Sequence, residues 1–170
     1  MSVVYTIGYE STDIERFIDT LKAVGVKRLA DVRALALSRK KGFSKKALSA
    51  RLEAEGIEYL HFVQLGDPKP GREAAKAGLY AEFREIYEAH LNSEEAQSSL
   101  KELIFAAQEK PTCLLCFEHS PETCHRSIVA EEISGSGLEV LNLYGNNPKR
   151  YVRNASRMPR YHPRESTASA

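Results

Sequence analysis

Two thiols, a carboxylate, an imidazole and a guanidinium fall within eleven positions, from Cys116 to Arg126. The stretch reads Cys113-Leu-Leu-Cys116-Phe-Glu118-His-Ser-Pro-Glu-Thr-Cys124-His125-Arg126. An apolar run crosses a short polar loop and opens an apolar-periodic segment, a pattern that predicts a buried strand feeding a helix. Cys124, His125 and Arg126 then fall in the first helical turn, where free amide hydrogens and the positive end of the macrodipole face outward. A thiol in that place, beside Arg126 and a charged imidazole, has a lowered pKa and can serve as a nucleophile. Anions bind there too, so Arg126 can clamp one. The plainer reading makes Cys124 a small buried residue near the cap and pairs Arg126 with Glu118 or Asp31.

Period-two alternation puts Cys116 and Glu118 on one face at the strand end. Glu118 leaves a buried strand, so it is either a general acid or base with a raised pKa or one half of an ion pair with Arg126 or Arg33. Asp31 and Arg33 repeat the arrangement at the end of another predicted strand. The ligand types also raise zinc, but the spacing is neither Cys-x-x-Cys nor His-x-x-x-His and no second cysteine pair exists. A phosphatase-like loop needs a closer arginine than Arg126 is to Cys116.

The elements that must position these groups follow from the pattern. Val3 to Ile7, ended by Gly8, reads as a central strand. Ile14, Phe17, Ile18, Leu21 and Val24 recur at helical spacing behind Ser11, Thr12 or Asp13 as cap, and Gly25 stops them. Val26–Val32 and Ile57–Val63 read as further strands, with a long basic loop and a Ser44-capped helix between them. The first two strands and their helix form a parallel βαβ unit. Residues 66–78 are turn-rich and suit a mobile loop or lid, or an ordinary surface loop. Two helices follow, one with Leu79, Phe83, Ile86, Tyr87 and His90 or Leu91 on its face. Thr112–Phe117 is a continuous apolar strand, Thr123 caps the next helix, and Leu138–Leu143 is the last strand.

Alternating strands and helices predict an α/β fold: a mostly parallel central sheet of about five strands with helices on both faces. Such sheets bind ligands outside the carboxyl ends of their strands, here expected at Gly8 to Glu10, Asp31 to Arg33, Gln64 to Asp67 and Cys116 onward. Residues 1–147 form the single α/β domain, and 148–170 a basic, irregular C-terminal tail.

The chain has 24 Lys and Arg against 23 Asp and Glu, a net charge of +1, so total charge selects no partner. The three cysteines and the absence of a signal peptide or membrane-length apolar run point to a reducing cytoplasm and to no membrane partner. Positives nevertheless cluster, at Arg33, Arg39, Lys40, Lys41, Lys45 and Lys46, and again at Lys149, Arg150, Arg153, Arg157, Arg160 and Arg164 with Tyr151 and Tyr161 between them. That composition suits phosphates and stacked bases, or a solvated tail that lies on acidic helices.

With these residues in view the chain resembles a bacterial family, domain of unknown function 488. Thr6-Ile7-Gly8, Asp31-Val32-Arg33, Ser38-Arg39, Phe43-Ser44, Leu65-Gly66 and Cys116-x-Glu118 with Cys124-His125-Arg126 carry the likeness over roughly residues 3–145. The resemblance implies an α/β domain and a cytoplasmic bacterial protein, and no reaction. Tyr9 stands where the family commonly has His, and Ala34-Leu-Ala-Leu37 lacks a Pro that often occurs there.

The reading that results is an enzyme for an anionic substrate, a nucleotide or a nucleic-acid base. Glu118, Cys124 and Asp31 are its expected catalytic groups. Gly8, Tyr9, Arg33, Ser38, Arg39, Cys116, His125 and Arg126 are expected to hold substrate. The alternatives are a nucleic-acid-binding module using 33–51 and 149–164, and a small metal protein. No cofactor is expected, zinc being the one the ligand types leave open.

Overall fold

The computed structural model describes residues 2–153. Five strands form one parallel sheet: β1 (Val3–Gly8), β2 (Arg28–Asp31), β3 (Glu58–His61), β4 (Thr112–Cys116) and β5 (Glu139–Tyr144). Their order is β3-β2-β4-β1-β5. β4 is therefore the central strand, not β1, and it separates the two strands of the first βαβ unit. Those two are parallel as expected, but not adjacent. Its five residues are all buried, which is what the unbroken apolar run requires of the middle of a sheet.

Helices cover both faces, and alternate strand residues divide between them. On one face α1 (Ile14–Ala23) and α2 (Lys45–Ala54) pack on Tyr5, Ile7, Cys113 and Leu115. On the other, α4 (Tyr80–Leu91), α5 (Glu94–Glu109) and α6 (His125–Ser134) pack on Val4 and Leu114. Asp13 is the working cap of α1, accepting from the Arg16 N–H at 2.9 Å. β2 and β3 are shorter than predicted, and Val63–Leu65 is a 3-10 turn.

Several expectations need correction. Residues 66–78 are not an irregular loop: α3 (Lys69–Lys76) occupies most of them. Pro68 caps it and Pro70 sits in its first turn, where a missing N–H costs nothing, so prolines that look like breakers start a helix. Thr123 does not cap α6; it ends a 3-10 turn, Pro121–Thr123, and Cys124 is the cap residue. Ser44 precedes α2, but its hydroxyl bonds Ser38 instead, tying the basic loop shut. Leu79 is half exposed ahead of α4, whose buried face is Phe83, Tyr87 and Leu91. The segment after 148 opens with a short helix, α7 (Lys149–Arg153), whose buried Tyr151 hydroxyl accepts from the Tyr144 N–H at 2.7 Å. The remainder of the expected tail, with Arg157, Arg160, Tyr161 and Arg164, lies outside the described residues.

Candidate functional site

β1 leads through α1 to β2 on one face, whereas β4 leads through α6 to β5 on the other. The connections leave neighbouring strands in opposite directions, so a crevice opens between the carboxyl ends of β1 and β4. A cavity of about 430 Å³ lies there, within the size range of small-molecule sites. Its walls come from the ends of β1 (Tyr9, Glu10), β2 (Arg33 to Leu35, Leu37) and β4 (Cys116 to Glu118), from Asp67, from α3 and its successor (Arg72, Ala75, Lys76, Tyr80), and from Thr123 and His125.

The Cys116 thiol donates to Glu118 Oε2 at 3.2 Å and lies 3.6 Å from His125 Nδ1. Cys124 Sγ lies 3.9 Å from the same nitrogen. His125 Nε2 is 2.6 Å from the Val32 carbonyl, which can only accept, so Nε2 carries a hydrogen and Nδ1 faces the two sulfurs. The expected shared face of Cys116 and Glu118 is present, and it is the face that α6 covers.

Burial alone raises the Cys124 thiol, but the Cys116 thiol beside it and the positive His125 and Arg126 outweigh burial and hold it well below its ordinary 9.0. Its place as the cap residue of α6 acts in the same direction. Burial opposes charge on His125, yet the Cys124 thiolate, the Val32 carbonyl and Asp67 push it up to about 9. Both shifts favour a thiolate on Cys124 beside an imidazolium on His125. Cys116 takes the opposite course: burial and the neighbouring negative charge hold its proton on. Burial and the Cys124 thiolate push Glu118 up to about 7.

The structure uses the predicted residues unevenly. Tyr9, Arg33, Cys116, Glu118 and His125 line the cavity; Cys124 lies behind them, fully buried. Asp31 does not reach the cavity. It is 0% exposed, gripped by both arms of Arg33 at 2.9 and 2.8 Å and by the Tyr59 hydroxyl. Arg33 also donates to the Phe43 carbonyl at 2.7 Å, so its pairing is structural. Arg126 pairs with no carboxylate among the described residues. Its guanidinium is 0% exposed and donates to the carbonyls of Glu118 (2.6 Å) and His119 (3.3 Å) and to the Thr6 hydroxyl. It shapes the turn that carries Glu118, with each of its three nitrogens already donating inside the fold. Gly8 is likewise a matter of space: a Cβ there would sit 1.6 Å from the Glu118 carbonyl oxygen. Ser38 receives the Lys40 N–H inside the basic loop, and Arg39 is exposed outside the cavity lining.

The basic loop spends part of its charge internally. Lys40 Nζ donates to the carbonyls of Tyr9, Glu10 and Thr12 at 2.6–3.1 Å, pinning the loop after β1. Lys41, Lys45 and Lys46 remain exposed. Sequence reasoning placed Asp67 among the strand-end residues and Lys40 in the basic loop, and assigned no role to Arg72 or Lys76. The signal for the last two was the pair Pro68 and Pro70 ahead of good helix formers, read as a loop. Cys116, Cys124 and His125 each bring one ligand atom within 4.8 Å of the others, so the cluster could hold a metal ion. No helix among the described residues is long and apolar enough to cross a membrane.

An open parallel α/β domain with a thiol, imidazole and carboxyl cluster at its switch point is the class that this fold and site define. The chain belongs to the family described as Domain of unknown function DUF488, whose sequence profile matches residues 13–133. That span holds Asp31, Arg33 and the whole cluster from Cys116 to Arg126, and leaves Gly8 and Tyr9 just outside. No curated protein and no solved structure matches the chain.

Proposed function

We propose that the chain is an enzyme that uses the Cys116 thiol, with Glu118 as its proton acceptor, on an anionic ligand with a planar part, a nucleotide or a nucleic-acid base. The observation that carries this reading is the 3.2 Å contact between Cys116 Sγ and Glu118 Oε2, both on the cavity wall. A carboxyl whose pKa is about 7 can take a proton at neutral pH and return it. In the step this arrangement serves, the Cys116 proton passes to Glu118 as sulfur bonds to an electrophilic carbon. The bond to the leaving group breaks, and Glu118 protonates that group. Water then cleaves the sulfur–carbon bond and restores the thiol. The thiolate–imidazolium pair behind Cys116 supplies fixed charge and holds the imidazole in place.

The nucleophile in this reading is Cys116, not Cys124, because only Cys116 faces the cavity. The anionic part of the ligand meets Arg72 and Lys76, and the planar part meets Tyr9, Phe117 and Tyr80, all on the wall. Alkylation of the native protein by iodoacetamide, followed by peptide mass spectrometry from pH 5 to pH 9, tests the core of this. Cys116 should be modified ahead of Cys113 and Cys124, at a rate rising through pH about 7, and Glu118→Gln should remove that rise. A Cys116 that reacts only after denaturation would refute it.

A second reading, a small metal protein, has its own observation. The two sulfur–nitrogen separations, 3.6 and 3.9 Å, are close to the roughly 3.5 Å edge of a tetrahedron with ordinary zinc–ligand bonds. Elemental analysis of the purified protein separates the two. About one equivalent of zinc favours the metal reading, and under about a tenth of an equivalent disposes of it.

A further inference from the structure

We infer that Asp67 is the group that reads the ligand in the cavity, and that the ligand offers it an N–H donor, as a nucleobase does. The inference rests on the cavity being the substrate site. Asp67 is 5% exposed and lines the cavity with Cys116, Glu118 and His125. Neither of its carboxyl oxygens has a hydrogen-bond partner among the described residues. Oδ1 is fully buried without one, the single such side-chain atom among them. Buried carboxyl groups are nearly always satisfied; Oδ1 is walled in against Gly71, and Oδ2, without a partner and not closed off, is the oxygen that a ligand in the cavity can reach.

The surroundings explain why nothing in the chain has filled the place. Arg72, one turn into α3, donates to the Asp67 backbone carbonyl at 2.7 Å and not to the carboxyl. His125 is turned to Val32 and to the two sulfurs. Gly71 leaves room for the carboxyl itself: a Cβ there would lie 2.1 Å from Oδ1 and 3.0 Å from Cγ. A glycine in the first turns of α3 costs helix stability, and here it gives the carboxyl its seat. Burial also pushes Asp67 up to about 6, so it can accept from a donor at neutral pH and carry a proton below that.

The occupant follows from what surrounds the carboxyl. The wall is part aromatic, with Tyr9, Phe117 and Tyr80, and part cationic, with Arg72 and Lys76. A flat ring with an N–H edge and a phosphate satisfies all three features at once. A simple anion leaves the Asp67 carboxyl as unsatisfied as before, and a simple ammonium leaves the two cations unmatched.

The test is calorimetric titration of the intact protein with adenosine, guanosine, cytidine and uridine 5′-monophosphates. At least one should bind, and Asp67→Asn and Asp67→Ala should each weaken it about tenfold, the effect of one lost hydrogen bond to a charged group. An analogue of that nucleotide methylated at the donor nitrogen should bind the wild type no better than the parent binds Asp67→Ala, and the two changes should not add. Melting temperatures control for folding. Burial outweighs the attraction of His125 and Arg72 and makes the Asp67 charge a net cost to the fold, so Asp67→Asn should melt no lower than the wild type. A lower melting temperature for Asp67→Asn overturns the inference, since it reveals a structural partner. Equal affinity in wild type and variants overturns it while leaving the cavity as a nucleotide site. Absence of binding by all four nucleotides overturns it too. The alkylation of Cys116 needs no nucleotide, so it reports separately on the thiol reading.

Discussion

Cys116 and Glu118, two residues apart in the chain, meet at 3.2 Å on the cavity wall because β4 ends at Cys116 and the backbone bends there without losing the shared face. The bend is held by Arg126, which takes the Glu118 carbonyl, and by Gly8, which gives that carbonyl room.

Glu118 should therefore make stability fall with pH. Its pKa rises from 4.5 to about 7 on folding, so between these values the folded protein holds a proton that the unfolded chain releases. Stability falls across that window and the penalty is complete above it. Asp67, raised from 3.8 to about 6, adds a slope in the same direction at lower pH. Glu118→Gln should flatten the melting-temperature profile between pH 5 and 7 and melt higher than wild type at pH 8. A profile identical to that of the wild type would show that Glu118 titrates normally.

His125 should titrate near 9, not near its ordinary 6.5, when its ring nitrogens are followed by NMR. Its charged form is favoured in the fold, so its contribution to stability is whole below 6.5 and is lost as pH rises through about 9. Removing the neighbouring thiolate with Cys124→Ser should bring the value down. If the wild type titrates at 6.5, no thiolate–imidazolium pair exists.

Asp31→Asn should destabilise by about 3–5 kcal/mol, measured by urea unfolding, because it leaves the buried Arg33 without its counter-charge. Cys116 alkylation in the fraction that remains folded should be unchanged, since Asp31 is sealed away from the cavity. A selective loss of alkylation at full stability would return Asp31 to the site.

Gly8→Ala should cost about 1–3 kcal/mol or more and disturb the Cys116 alkylation rate together with stability. The added methyl strikes backbone, not a side chain that can turn aside. A variant with wild-type stability and reactivity would mean that the turn after Cys116 is looser than its contacts indicate.

The sheet and the place of the cluster were legible in the sequence for local reasons. The β4 run is apolar without interruption, which suits only a strand covered on both sides, and the helices repeat their apolar faces at regular spacing. Residue type and spacing also brought Cys116 and Glu118 to one face. Tertiary structure alone decided the rest. It placed β4 between β1 and β2, a choice made by which faces bury best together. It used the guanidiniums of Arg33 and Arg126 for internal carbonyls and one carboxylate, because a buried donor must find an acceptor wherever the chain provides it. It closed the Asp67 strand end onto the cavity beside His125, more than fifty residues away in the chain, and left the carboxyl without a hydrogen-bond partner. Sequence supplies the reactive groups; which of them are spent on the fold and which still face the cavity is settled by long-range packing.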